Sequence, residues 1–266
     1  MSANSIVVAG TGRKAENIPA IAGNNIQHKP PFMTWLPDLK EALLHFVFPH
    51  TCAGCGTDVL NKEHQLCLSC LSALPETKFC LHQDNPVEKI FWGRIALAHA
   101  TAQYYYTKES LMQRLMHRFK YRGEEELGTY LGTLMGQSLA ATDRFDLVDA
   151  LIPLPLHPSK ERKRGYNQAA ILCNGIAAVI EKPVWTKIIH RQQPTETQTK
   201  KSRTERWENI KGKFQLLDAA ALKGKHVLLV DDVLTTGATL EACTAVLLEA
   251  ADVQVSIATL CFSSRG

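Results

Sequence analysis

One stretch constrains this chain more than any other. Val227-Leu-Leu-Val-Asp231-Asp232-Val-Leu-Thr235-Thr236-Gly237-Ala238-Thr239-Leu runs four apolar residues into two carboxylates and then a loop of small hydroxylated residues. The apolar run reads as a buried strand, and 238–250 returns to helical period, so the loop opens a helix. At a helix N-terminus the unpaired N–H groups and the positive end of the dipole favour a phosphate. Gly237 lets the backbone approach it, and the threonine hydroxyls add donors. The neighbouring carboxylates suit ribose hydroxyls or a magnesium shell. Ligands of open parallel sheets lie outside the carboxyl ends of the strands, which is where this loop would fall.

Similar short apolar runs recur at Leu147–Pro153, Val184–Ile189 and Val253–Leu260, with Ile95–Tyr106 a further stretch that can pair as strands. Helical spacing occupies Leu111–Phe119 and 167–180 between them. Buried strands alternating with helices predict an α/β fold with a mostly parallel sheet. Residues 1–30 lack usable periodicity and read as a disordered tail. From Trp35 to Phe48 the positions Leu36, Leu39, Leu43, Leu44 and Val47 follow helical spacing up to Pro49. The expected organisation is a tail over 1–30, a helix with a cysteine module over 31–92, and the α/β domain over 93–266.

Half of the eight cysteines fall in two pairs, Cys52-Ala-Gly-Cys55 and Cys67-Leu-Ser-Cys70, eleven residues apart. Each pair presents two thiolates from one tight turn, and four thiolates satisfy tetrahedral zinc and close its coordination. A structural zinc at Cys52, Cys55, Cys67 and Cys70 is therefore expected. A redox pair or reduced cysteines packed as small apolar residues is the competing reading. Cys80 and His82 are rivals for a ligand position, and Cys173, Cys243 and Cys261 read as core residues.

The net charge of +4 hides an uneven distribution. Segments 114–122, 158–165 and 187–213 carry +4, +3 and +5, leaving the rest near −8. Such focusing suits a polyanion, although solvated helix faces and an exposed loop would give the same pattern. No run approaches the roughly 18 apolar residues of a membrane span, and the start lacks a secretory n-region, so a cytoplasmic location without membrane insertion is expected.

The run from Asp231 to Thr239 resembles the phosphoribosyl pyrophosphate signature of type I phosphoribosyltransferases. That resemblance implies that Asp231 and Asp232 contact the ribose hydroxyls as the catalytic pair. It further implies that Val233, Leu234, Thr235, Thr236, Gly237, Ala238 and Thr239 form the loop around the 5-phosphate, with magnesium accompanying the ligand. Where hypoxanthine-guanine enzymes of this type place an aspartate beside the purine, this chain has Thr235, which argues against 6-oxopurine salvage.

The order of motifs narrows the resemblance. Four cysteines are followed by Phe119-Lys120-Tyr121-Arg122-Gly123, then Pro153-Leu-Pro-Leu-His157 with Arg164-Gly165-Tyr166-Asn167-Gln168, then Gln198-Thr199 with Arg203 and Arg206, and then the loop. Over residues 48–262 this is similar to the ComF/GntX family of competence-associated phosphoribosyltransferase-like proteins. The family implies a part in uptake of transforming DNA, with single-stranded DNA and competence helicase or uptake proteins as partners. The turn after 147–153 corresponds to the pyrophosphate loop, where backbone amides near His157 with Lys160 or Arg164 would meet the leaving group. A solvated helix start explains Lys160–Lys163 equally well. Residues 194–209, with Lys200, Lys201, Arg203 and Arg206, match the mobile basic loop that closes over such sites, or else an exposed linker. Two functions remain open: a phosphoribosyl-transferring enzyme, and a non-catalytic single-strand-binding component with a sensory ribose-phosphate pocket.

Overall fold

The computed structural model describes residues 50–58, 64–192 and 212–263. The expected tail over 1–30, the helix over 35–48 and the cations Lys200, Lys201, Arg203 and Arg206 lie outside the described residues.

Four strands form an all-parallel sheet in the order β1-β6-β5-β2: β1 is Ala100–Tyr105, β2 Ala150–Pro153, β5 His226–Leu234 and β6 Gln254–Phe262. The central strands are buried on both faces, as parallel strands under crossover helices must be. On one face Leu228 and Val230 share a core with α3 (Leu111–Tyr121), α4 (Glu125–Ala140) and α6 (Gln168–Ile180). On the other, Val227 and Leu229 pack with α2 (Pro86–Phe91) and α7 (Ala238–Leu247). The short helices α1 (Leu68–Ser72) and α5 (Pro158–Arg164) are the other α-helices among the described residues.

Local chemistry sets the helices. Ser110 caps α3, accepting from Gln113 N at 3.1 Å. Met112, Leu115, Met116 and Phe119 then recur at i, i+3, i+4 and i+7, and all are buried. Asn85 caps α2 through Val87 N and Glu88 N, with Pro86 at the first helical position. Helix α4, which the apolar periodicity did not single out, meets α6 along glycines: a Cβ on Gly175 would lie 2.2 Å from the Thr129 carbonyl oxygen. Only a residue without Cβ allows that approach.

Two expectations are corrected. Val184–Ile189 is not one strand. Val184 makes a single parallel bridge to Leu151, after which exposed Thr186 and Lys187 interrupt the apolar run. β3 (Ile189–Arg191) pairs antiparallel with β4 (Phe214–Leu216) in a separate two-stranded sheet. The acidic residues also do not stand beyond their strand. β5 continues to Leu234, because β6 supplies ladder partners for Asp231, Val233 and Leu234 at Thr259, Cys261 and Phe262.

The cysteine segment shares its packing with the sheet's first face: Cys52, Ala53, Leu66 and Cys70 belong to the same core as Leu115 and Phe119. The described residues all fall in one compact unit, Pro49–Gly266.

Candidate functional site

β2 stops at Pro153, opposite Val230, so one flank of β5 is uncovered from Asp231 onward. Strand alternation turns the two carboxylates toward opposite faces of the sheet, and each face supplies a cation. Lys120 of α3 reaches Asp232, Nζ to Oδ2, at 2.9 Å. On the other face Arg191 of β3, itself buried and lying over the Phe214 ring at 5.4 Å, interacts electrostatically with Asp231. Asp231 also accepts from the Asp232 backbone N–H at 2.8 Å. Burial first, and the neighbouring Asp232 charge second, push the Asp231 carboxyl up to about 7 against the lowering influence of Lys120 and Arg191.

Beyond β5 the chain enters the threonine loop. Gly237 occupies the left-handed region at φ +76° as the N-cap of α7. A Cβ there would lie 2.9 Å from the Phe91 ring, so both dihedral and space demand glycine. Thr235, Thr236 and Ala238 are exposed and Thr239 is half-buried, with the first backbone N–H groups of α7 beside them. Arg94 fixes the loop from behind: it donates to the Thr236 carbonyl at 3.3 Å and pairs with Glu241, which is buried in the first turn of α7.

The candidate pyrophosphate side is less uniform. His157 is the cap of α5, its Nδ1 accepting from Ser159 N at 3.2 Å. Arg164 donates to Gln168 Oε1 at 2.7 Å and lies over the Tyr121 ring at 5.9 Å. Lys160 is exposed, and desolvation followed by the nearby charges of Arg191 and Arg164 lowers its pKa.

The sulfurs of Cys52, Cys55, Cys67 and Cys70 lie within 4.8 Å of one another, with Cys55 and Cys67 Sγ 3.7 Å apart. Tetrahedral zinc at 2.3 Å from each sulfur requires separations of about 3.8 Å, so the cluster fits a metal of that kind. Backbone N–H groups of Cys67 and Gly54 point at Cys52 Sγ, at 3.2 and 3.4 Å, as thiolate ligands need. Gly54 backs the cluster, since a Cβ there would lie 2.8 Å from Cys70 Sγ. Cys80 is buried and, like His82, stands outside the cluster.

Residues 163–266 match the phosphoribosyl transferase domain model. Competence protein ComFC of Bacillus subtilis is 32% identical over 209 residues, spanning 72% of this chain and 81% of that protein. The chain belongs to the ComF/GntX family. Competence protein F of Haemophilus influenzae is 29% identical over 74% of this chain and 83% of its own length. The DNA utilization protein YhgH of Escherichia coli O157:H7 is 28% identical over 87% and 97%. A solved glutamine phosphoribosylpyrophosphate amidotransferase from B. subtilis is 17% identical with a TM-score of 0.37, over 54% of this chain and 30% of that one.

This ComF/GntX chain therefore has a type I phosphoribosyltransferase-like fold with a four-cysteine cluster able to hold a metal such as zinc. Three residues that meet the candidate site in this structure were not assigned from the sequence. Arg191 carried a usable signal, because alternation from buried Ile189 turns it inward, and a buried arginine needs a partner. Lys120 lay in the basic segment 114–122, but nothing local distinguishes it from Arg122. Arg94 bridges to the loop across 142 residues, which no local pattern encodes.

Proposed function

We propose that this ComF/GntX protein binds phosphoribosyl pyrophosphate with magnesium through Asp231, Asp232 and the loop Val233–Thr239, and acts in the cytoplasm in uptake or processing of transforming DNA. The observation that carries the reading is the continuity of the acidic pair, on a strand edge without a β2 partner, with a glycine-hinged helix N-terminus. The cellular part rests on the names of the relatives, competence proteins and DNA utilization proteins.

In this reading the carboxylates accept hydrogen bonds from the ribose 2- and 3-hydroxyls. The first N–H groups of α7, with Thr235, Thr236 and Thr239, hold the 5-phosphate. In this reading positive charge developing at ribose C1 lies near the carboxylates, and Lys160 would stabilise the departing pyrophosphate. Two adjacent carboxylates offer the hard oxygen donors that magnesium prefers, and the raised Asp231 pKa marks a site that gains from a further cation. Magnesium would neutralise pyrophosphate charge there.

Calorimetric titration with phosphoribosyl pyrophosphate and magnesium tests this directly. Saturable binding by wild type, abolished by Asp231→Asn with Asp232→Asn, is expected; no binding by the folded wild type would end the reading. The second reading, a strand-binding component without turnover, draws support from the exposed Arg114 of α3 and Arg122 at its end. It predicts affinity for single strands that falls steeply with salt and survives the double Asn change.

A further inference from the structure

A groove of about 680 Å³ separates the cysteine hairpin from α3. Its floor is the backbone of Ala53, Gly54 and Gly56, and its long wall is the segment Gln113–Arg122, closed at one side by Tyr106. Among its lining residues there is no carboxylate. Arg114, Arg118 and Arg122 follow one another at i, i+4 and i+8 and so form one stripe, spanning about 12 Å along the helix.

These cations are not equally committed. Arg118 is held by both oxygens of Glu124 at 2.8 Å and by the Ala53 carbonyl at 2.9 Å, which locks the wall to the hairpin. Lys120 is turned to Asp232. Arg114 and Arg122 are exposed, and among the described residues their side chains have no hydrogen-bond or ion-pair partner. Between them Tyr121 is 65% exposed, with the His117 ring 5.1 Å away and the Arg164 guanidinium over its face. Free guanidinium groups select phosphate, and an exposed ring flanked by cations offers a stacking surface for a base. A volume of this size suits a small molecule.

What makes the groove more than a basic patch is Lys120, which lines it and also bonds the carboxylate of the ribose site. One lysine side chain joins the two. An acceptor must bring its nucleophilic atom to about 3–3.5 Å from the ribose C1, and this cavity shares a residue with the place where that ribose would lie. The geometry points to the groove as the acceptor subsite, built for a nucleoside phosphate whose phosphate sits on Arg114 and Arg122 and whose base lies against Tyr121. The inference rests on the phosphoribosyl pyrophosphate reading for the word acceptor, but its binding claim stands separately. In the transfer, a nucleophilic atom of the acceptor bonds to C1 as the C1–O bond to pyrophosphate breaks. Pyrophosphate leaves with the electron pair, and the acceptor's proton passes to water. The nucleoside phosphate has two sources, free in solution or at the phosphorylated end of a strand.

The test is calorimetry on the full chain with its metal, using thymidine 5′-monophosphate, thymidine and a 5′-phosphorylated thymidine tetramer as probes. The monophosphate is expected to bind at least about tenfold tighter than thymidine. Arg114→Ala with Arg122→Ala is expected to remove at least about tenfold of that affinity, while affinity for phosphoribosyl pyrophosphate changes by less than about twofold. Arg114→Gln with Arg122→Gln repeats the measurement with the stems retained, should the alanine pair melt early. A tetramer tighter than the monophosphate, and weakened by the same changes, assigns the strand end; a tetramer no tighter assigns the free nucleotide. Equal binding of thymidine and its monophosphate, or monophosphate binding indifferent to the arginines, overturns the inference. Phosphoribosyl pyrophosphate binding without monophosphate binding sinks the groove alone, and the reverse sinks the transferase reading alone.

Discussion

Asp231 and Asp232 are neighbours in sequence with different electrostatic surroundings. Asp232 meets a lysine across a 2.9 Å contact, whereas Asp231 is set among buried groups and its carboxyl is raised to about 7. A carboxyl whose folded pKa exceeds its ordinary value near 3.8 binds its proton more tightly in the folded state. Its contribution to stability is therefore lost as pH rises from about 4 through 7. Asp231→Asn removes that titration. It is expected to gain stability relative to wild type on going from pH 5 to pH 8, by about 1 kcal/mol or more, while losing ligand binding. Urea unfolding of both proteins at the two pH values measures it; a difference constant with pH would show that Asp231 ionises normally in the fold. Wild-type affinity for phosphoribosyl pyrophosphate with magnesium should rise across the same interval, since the ionised carboxylate is the better acceptor and ligand.

At the scale of elements, what could be read from sequence depended on whether the determinant was local. The strand–loop–helix run from Val227 was legible because each of its requirements is written within a few residues: apolar strand, carboxylates, a glycine at positive φ, a helix start. The core stripe of α3 was legible for the same reason. Helix α4 was not singled out: Leu127, Leu131, Met135 and Leu139 are buried at a strict four-residue spacing, but Gly128, Gly132 and Gly136 make its contact with α6, and small residues carry little hydrophobic signal. The run Val184–Ile189 looked like a strand since its exposed pair, Thr186 and Lys187, is too short a break to outweigh the flanking apolar residues. Arg94 belongs to the illegible class, and its consequence is testable. Arg94→Ala leaves Glu241 buried at 4% exposure without its cation and frees the Thr236 carbonyl. With Arg94 one-third exposed, a loss of about 1–3 kcal/mol is expected, together with weaker phosphate binding. Adding Glu241→Gln should restore stability more than binding, because the amide relieves the buried charge without re-anchoring the loop. Equal recovery of both would mean that Arg94 acts on stability alone.

On the scale of the whole molecule, the cysteine cluster and the phosphate loop approach the sheet from different sides, and α3 is what stands between them. Its start packs on the cluster, Leu111 lying close to Gly54 and Cys70. Arg118 ties its middle to Ala53, and Lys120 near its end reaches Asp232. The threonine loop is braced instead by α2 through Arg94. Loss of a metal from the cluster should therefore travel along α3 and reach the acidic pair, but leave the loop and α7 in place. Chelation under reducing conditions is expected to release one zinc per chain and lower the melting temperature by at least about 5 °C. Hydrogen exchange should then quicken in α3 while β5, β6 and α7 keep their protection. Binding of phosphoribosyl pyrophosphate should weaken without vanishing, since the 5-phosphate contacts persist and only the Lys120 side of the ribose site loosens. A metal-free protein with unchanged melting would deny the cluster a structural metal. Loss of protection throughout β5 and β6 would instead make hairpin and sheet a single cooperative unit, with α3 as an integral part of the core rather than a link between two sites.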